Sequence, residues 1–316
     1  MRKVNSERNI IKSKKIAYGT VLTFLKYFFL ISIGYIIIFQ IAYMISYAFR
    51  SSVDINDPSI VWIPRNLTLE NFKNAIEIMD YVGSFWNTIS IQVLSGIIEI
   101  VSCAVVAYGF ARFKFAGKNL LFALVVITIV VPNQMIAVPL YLNYADFDIL
   151  GIFGLFNNLT GIDLRPNLLD SGAVFYLPSL FASGIRSGLF IFIYRQFFVG
   201  MPLELEEAAA IDGAGPIRTF TSIIVPSSGV AIITVAIFSL VWHWNEYYLS
   251  ALFFDEKYPL SVRLSNLSES LSGGGVSDDR NLRMAACLIF ALPVLIVYIL
   301  LQRKFIQSID RVGIVG

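Results

Sequence analysis

The stretch ELEEAAAIDGAGPIRTFTSIIVP, from Glu204 to Pro226, is the longest polar connection with helix-forming character between two strongly apolar segments. Its first part, 203–212, carries three glutamates in the opening turns, where the helix dipole favours acidic side chains. Gly213 ends this helix, because glycine adopts backbone angles that other residues avoid, and Pro216 suits the first turn of a new helix. The stretch therefore predicts a helix, a turn and a second helix.

The rest of the chain is too apolar for a water-soluble protein. Of its 316 residues, 57% are hydrophobic and only 15% are charged, which is typical of several membrane crossings. The net charge of +2 does not indicate a nucleic-acid-binding protein, because the basic residues lie at the ends of apolar segments and form no stripe. Cys103 and Cys287 both fall within apolar segments, so a disulfide framework is not expected.

Six apolar segments are long enough to cross a bilayer as helices. The first, 27–48, follows a basic segment, 1–26, and is expected to be an uncleaved span, since it lacks a clear signal-peptidase site. An extracytoplasmic loop, 49–84, leads to a core, 85–301, with five further spans, and 302–316 forms a short tail. The core spans are expected at 85–111, 120–142, 173–198, 223–248 and 284–301. The sequence thus predicts an all-α membrane protein with six transmembrane helices.

The positions of the basic residues predict the orientation of these spans. Taken together, both termini, the connection between the second and third spans, and the loop 199–222 between the fourth and fifth hold 14 lysines and arginines, whereas the other loops hold 8. Cytoplasmic loops of membrane proteins carry an excess of basic residues. Both termini and the 199–222 loop are therefore expected in the cytoplasm.

The spacing within the polar stretch resembles the signature loop of the permease subunits of ABC importers. In that family the pattern is Glu-Ala-Ala, three residues, Gly, nine residues, Ile, one residue and Leu-Pro, and here only Val225 departs from it. The resemblance implies a cytoplasmic coupling helix within 199–222 that docks on a separate ATPase subunit. The coupling residues that it implies are Glu207, Ala208, Ala209, Asp212, Gly213, Arg218 and Pro226. A plain hairpin between two spans is the alternative that composition alone favours.

Four further motifs resemble those of carbohydrate importers, namely Trp62-Ile-Pro-Arg65, Ala107-Tyr-Gly-Phe-Ala-Arg112, Tyr194-Arg-Gln-Phe-Phe198 and Trp244-Asn-Glu246. From residue 27 onward the chain is similar to the smaller, six-span permease of the maltose-type importer, although its tail lacks that family's Gly-Ala segment. The resemblance implies a second, related permease, two ATPase subunits that bind ATP and Mg²⁺, and an extracytoplasmic sugar-binding protein. It implies a bacterial inner or plasma membrane, and no cofactor on this chain.

Polar residues inside the spans are candidates for the substrate pathway, because ionisable and amide groups are costly against lipid. These candidates are Glu99, Asn133, Gln134, Arg186, Asn245 and Glu246, with Trp244 and Tyr247 as rings for sugar stacking. Arg186 is expected near mid-bilayer. There it would either pair with Glu99, Glu246 or a backbone carbonyl, or face the pathway and bind an acidic oligosaccharide in bidentate fashion.

The sequence does not indicate an enzyme. It has no Gly-x-x-x-x-Gly-Lys-Ser/Thr phosphate-binding loop, since Phe115-Ala-Gly-Lys118 is only a fragment of one. His243 is the sole histidine, and it is expected in an aromatic belt, since it has no neighbour with which to hold a metal ion. No catalytic residue and no metal site are predicted. The alternative function is a secondary transporter or channel with Glu99, Arg186 and Glu246 as coupling charges.

Overall fold

The computed structural model describes residues 2–55, 57–149, 151–272 and 280–312. Within them the regular structure is helical, apart from one isolated β-bridge between Arg50 and Leu67. The helices are α1 (Arg2–Ala48), α2 (Ser52–Ile55), α3 (Glu70–Ile78), α4 (Tyr81–Arg112), α5 (Lys118–Val130), α6 (Asn133–Ala145), α7 (Ile152–Thr160), α8 (Ala173–Leu180), α9 (Ser187–Gly200), α10 (Glu204–Ile211), α11 (Pro216–Ser227), α12 (Gly229–Trp244), α13 (Tyr248–Phe253), α14 (Leu260–Ser272) and α15 (Arg280–Val312). The prediction of an all-α protein is confirmed.

Helices that can cross a membrane are of two kinds in the described part of the chain. Three are long and apolar enough by themselves, namely the segment Tyr18–Ala48 of α1, helix α4, and the segment Arg280–Gln302 of α15. Three further candidates are pairs of helices with a sharp bend, of 102° between α5 and α6, 75° between α9 and α10, and 79° between α11 and α12. Together they give up to six spans, the number that the sequence predicts.

Residues 1–74 and 277–288 form one compact unit. In the segment Tyr18–Ala48 of α1, most apolar side chains are exposed, as expected for a helix that faces lipid. Buried polar side chains fix the segment 50–66, which follows α1, through hydrogen bonds to its own backbone. Arg50, 2% exposed, donates a hydrogen bond to the Val61 carbonyl at 2.7 Å. Asp54 accepts from the backbone N–H groups of Asn66 and Arg65 at 2.8 and 2.7 Å, and these bonds, chiefly the one from Asn66, lower its pKa.

The second unit, residues 75–276 and 289–316, has its largest core between α4, α9, α11 and α12. Small residues of α4 allow α9 to approach closely, and aromatic residues of α9 fill the contact. The buried small residues are Cys103, Ala104 and Ala107, and the buried aromatic residues are Phe190, Tyr194 and Phe198. The burial of Tyr194 and Phe198 gives the Tyr194-Arg-Gln-Phe-Phe198 motif a packing role.

The predicted span 173–198 is not a single helix. Helices α8 and α9 are separated by a turn in which Ala182 and Arg186 have φ of 52° and 63°, values that side-chain-bearing residues rarely adopt. Gly184 lies between them and packs closely on α4, since a Cβ there would lie 3.1 Å from the Glu99 carboxylate. Arg186, which was expected in the middle of a helix, is therefore the residue directly before α9.

Polar and glycine residues in 144–170 and 255–282 predict loops between the expected spans, but both regions contain helices. Helix α7 lies within 144–170, and α14 lies within 255–282. Both helices lie in connections between the expected spans. The predicted flexible hairpin at 273–275 lies outside the described residues.

Candidate functional site

The 199–222 loop has the predicted order of helix, turn and helix. After α10, Gly213 has φ of 77°, the left-handed backbone that suits glycine. The N–H of Ala214 donates to the carbonyl of Ala209 at 2.9 Å, which closes the turn. Pro216 then occupies the first turn of α11. Local sequence signals therefore define this loop.

One face of the loop is exposed and combines charged with large aliphatic side chains. Ile211 and Ile217 are 86% and 81% exposed, on either side of the Gly213 turn. Of the coupling residues that the resemblance implies, Glu207, Ala208, Asp212, Gly213, Arg218 and Pro226 are exposed and Ala209 is buried. Two exposed isoleucines beside charged groups fit an interaction surface better than a solvated connection.

A second candidate site is a group of three cavities in the second unit, all lined by Asn133. The largest, about 640 Å³, is bounded mainly by apolar residues of α5, α6 and α9. The smallest, about 90 Å³, is more polar, and its lining residues are Asn133, Gln134, Ile185, Arg186, Trp242, Glu246, Tyr248 and Leu249. Asn133 begins α6 and Arg186 precedes α9, so both lie where a helix is interrupted.

The exposed side chain of Arg186 lines both the largest and the smallest cavity. Its guanidinium carbon lies 5.6 Å from the centre of the Trp242 ring, a distance at which a cation and an aromatic ring attract each other. Glu246 lines the same small cavity. In residues 2–55, 57–149, 151–272 and 280–312, however, no carboxylate lies within 4 Å of the Arg186 guanidinium. The guanidinium donors are therefore not occupied by an acidic side chain.

Glu99 lies apart from these cavities, in a fully buried polar cluster between α4, α9 and α12. Ser187 donates a hydrogen bond to Oε1 of Glu99, and Nε2 of His243 lies 3.3 Å from Oε2. Nδ1 of His243 lies 3.0 Å from the Ser239 carbonyl oxygen. The expected position of His243 in an aromatic belt is therefore wrong, because the Glu99 carboxyl gives it a polar partner in the interior.

The Ser187 contact gives a stability prediction. We expect Ser187→Ala to lower the free energy of unfolding by about 1–3 kcal/mol, because a buried oxygen of Glu99 loses its hydrogen-bond donor. Ser183→Ala is the matched control, since Ser183 is exposed in the turn just before α9. The measurement is thermal unfolding of both variants in detergent. Equal stability of the two variants would show that the Ser187 hydrogen bond contributes nothing.

The aromatic and amide residues after α12 are placed differently from one another. Trp244 is 2% exposed, and its indole N–H donates to the Phe290 carbonyl at 3.1 Å, so neither ring face is open. Asn245 and Tyr247 are exposed but are not among the residues that line the three cavities. Trp242, which sequence reasoning missed, lines the small cavity. Trp242 lies in the last turn of α12, and of the rings of Trp242, Trp244 and Tyr247 it is the one that lines the small cavity.

Comparison with known proteins adds independent information. Residues 100–311 match the family model described as "Binding-protein-dependent transport system inner membrane component". The probable starch degradation products transport system permease protein AmyC of Thermoanaerobacterium thermosulfurigenes is 31% identical over 248 residues, which cover 78% of this chain and 81% of that protein. The osmoprotective compounds uptake permease protein GgtD of Synechocystis sp. is 30% identical over 257 residues, which cover 79% and 77%.

A solved structure shows the same fold. It is a bacterial ABC transporter involved in the import of the acidic polysaccharide alginate, and it aligns with a TM-score of 0.68. The alignment covers 90% of this chain and 96% of that chain, at 19% sequence identity. At this identity the likeness concerns the arrangement of helices alone.

Proposed function

The chain belongs to the family of binding-protein-dependent transport system inner membrane components, and on this premise we propose that it is a permease subunit of an ATP-driven carbohydrate importer. It forms one half of the translocation pathway, and a second, related permease forms the other half. Two ATPase subunits, which bind ATP and Mg²⁺, dock on the permeases. A sugar-binding protein delivers the cargo from the opposite side of the membrane.

The surface of the 199–222 loop carries this proposal. Glu207 is exposed on α10, and Ile211 and Ile217 expose most of their aliphatic surface beside it. Covering such surface with a partner protein is favourable by roughly 25 cal/mol for each Å² of apolar area removed from water. An ATPase subunit with a cleft for α10 would bury both isoleucines and place a cation or a helix N-terminus near Glu207.

We propose that both chain termini and the 199–222 loop are cytoplasmic. The support is that the termini, the connection between the second and third spans, and this loop together hold 14 lysines and arginines, against 8 in the other loops. An even number of spans puts the termini on one side, and alternation puts the 199–222 loop on that side too. The ATPase subunits then meet the loop in the compartment that contains ATP.

An acidic oligosaccharide is the cargo that we propose. Arg186 lines the cavity without a carboxylate partner within 4 Å, and its guanidinium can hold a carboxylate through two parallel hydrogen bonds. Trp242 offers a ring at the same place, and the amides of Asn133 and Gln134 can bind sugar hydroxyls. The names of the similar proteins do not agree on the charge of the cargo, because AmyC is named for starch degradation products and the structural match for the acidic polysaccharide alginate. The surroundings of Arg186 therefore carry the proposal of an acidic cargo.

A secondary transporter that uses Glu99, Arg186 and Glu246 as coupling charges is the second candidate. Arg186 and Glu246 line one cavity, which suits that role. Glu99 is fully buried against Ser187 and His243. Its use as a coupling charge would require this cluster to open during transport, which makes this function the weaker candidate.

The composition of the native complex tests the proposed function. We expect the affinity-tagged chain, purified from its own membranes in mild detergent, to carry a second permease and an ATPase subunit with it. In proteoliposomes, this complex should import sugar only with ATP inside, and collapse of ion gradients should leave uptake unchanged. A monodisperse single chain that transports sugar without partners would contradict the proposal.

A further inference from the structure

The three glutamates of α10 have different surroundings. Glu204 and Glu207 are exposed, whereas Glu206 lies against the end of α4. Oε1 of Glu206 is 2.5 Å from Nε of Arg112, the last residue of α4, and the two side chains are only 20% and 8% exposed. The hydroxyl of Tyr108, one turn earlier in α4, donates to Oε2 of Glu206 at 3.3 Å. Glu206 therefore joins the loop to α4 by a partly buried ion pair.

Both ends of the 199–222 loop contact the last two turns of α4. At its start, Arg112 donates a hydrogen bond to the Met201 carbonyl at 2.9 Å. At its end, the ring of Phe220 lies 4.9 Å from the ring of Tyr108. The loop is thus fixed to the last turns of α4 at its beginning, in its helix and at its end.

Helix α4 also contacts the region of the cavities. Phe110 lines the largest cavity, close to Arg112 in sequence. Nearer the middle of the helix, Glu99 accepts the hydrogen bond from Ser187, the residue that follows Arg186. A displacement of α4 along its axis would therefore act on the loop through Arg112 and on the surroundings of Arg186 through Glu99.

We propose that the ion pair between Arg112 and Glu206 transmits movement between the 199–222 loop and the cavity, with α4 as the rigid connection. The neighbouring glutamates then have separate tasks. Glu207 faces outward to the ATPase subunit, and Glu206 faces inward and fixes α10 to the membrane domain. Arg112 is a positioning residue in this arrangement, and it gives the Ala107-Tyr-Gly-Phe-Ala-Arg112 motif a role. The inference rests on the proposed function, because it requires a docked ATPase.

Charge reversal in the complete transporter tests the link. The variants are Arg112→Glu, Glu206→Arg and the double variant with both changes, and Glu204→Gln is the control on the exposed side of the same helix. The transporter, reconstituted with its partner permease, ATPase subunits and binding protein, is assayed for three quantities. These are the retained ATPase subunit, the basal rate of ATP hydrolysis, and the stimulation of that rate by cargo-loaded binding protein.

We expect each single reversal to retain the ATPase subunit and to lower the stimulated-to-basal ratio about tenfold, a usual size for coupling between two sites. The double variant should recover most of this loss, because the opposite charges face each other again. Recovery would show that the two charges act on each other, and a lowered ratio in a variant that retains the ATPase subunit would separate this role from a purely structural one. Should a single reversal fail to assemble, the milder changes Glu206→Gln and Arg112→Lys should still lower the ratio about fivefold, the lower end for coupling between two sites.

Two results would overturn the inference. One is an unchanged ratio in all variants that assemble, and the other is a double variant whose loss is the product of the two single losses. Failure of the unmodified chain to retain an ATPase subunit is a different result, because it would contradict the proposed function before any variant is compared.

Discussion

Gly213→Pro is expected to abolish the stimulation of ATP hydrolysis by cargo-loaded binding protein while leaving the chain inserted in the membrane. Gly213 has φ of 77°, whereas proline fixes φ at about −65°. The substitution also removes the Gly213 N–H, which donates to the Ala210 carbonyl at 3.1 Å. The turn that orients α10 toward the ATPase subunit would be lost. We expect stimulation to fall by roughly 100-fold, near the upper end for coupling between sites.

Gly215→Ala is the matched control for this experiment. Gly215 lies in the same turn, has φ of −72°, and has open space where a Cβ would be added. Its substitution should leave stimulation within about twofold of the unmodified transporter, since surface substitutions without special backbone angles have small effects. Glu207→Arg, which reverses the exposed charge without changing the turn, should also reduce stimulation. If both Gly213→Pro and Glu207→Arg kept full stimulation, the loop would have no docking role.

Arg186→Gln should lower the uptake of an acidic oligosaccharide about 10- to 100-fold, because a hydrogen bond to a charged group contributes about 1.5–3 kcal/mol. Uptake of a neutral oligosaccharide of the same length should change little. With Arg186→Lys, uptake of the acidic sugar should lie between that of Arg186→Gln and that of the unmodified transporter. Lysine keeps the charge but cannot form the two parallel hydrogen bonds of a guanidinium. The measurement is uptake of matched acidic and neutral sugars into proteoliposomes that contain the complete transporter.

Arg195→Gln provides the control for Arg186. Arg195 is in the same helix, α9, but its guanidinium lies over the Phe122 ring at 4.1 Å, and it is not among the residues that line the three cavities. Its substitution should reduce acidic and neutral uptake to the same extent. If Arg186→Gln imported the acidic sugar as well as the unmodified chain did, with assembly intact, the proposal of an acidic cargo would fail.

The 199–222 loop could be predicted because local chemistry defines it. Glycine at a left-handed position and proline at the first turn of a helix act on their own neighbours in the chain. The same holds for the bend between α5 and α6, where Pro132 interrupts an apolar run. The number of spans follows equally directly from the length of the apolar segments.

The break before Arg186 and the position of His243 could not be predicted, because tertiary contacts decide both. The run 173–198 is apolar enough for one span. The helix is nevertheless interrupted in the turn that contains Gly184, where the chain packs closely on α4. His243 stands between two tryptophans, which favours an aromatic belt. Its partner Glu99 is distant in sequence, and nothing near either residue indicates their contact.

The buried cluster of Glu99 also bears on how the chain is made. Ser187 follows Glu99 by 88 residues, and His243 follows it by 144 (243 minus 99). A ribosome that adds about 5–20 residues per second needs roughly 7–30 s to synthesise the longer interval. During that time α4 carries a carboxyl group without its final partners, a costly state inside a bilayer. The buried cluster can therefore form only late in synthesis, after both Ser187 and His243 have been added to the chain.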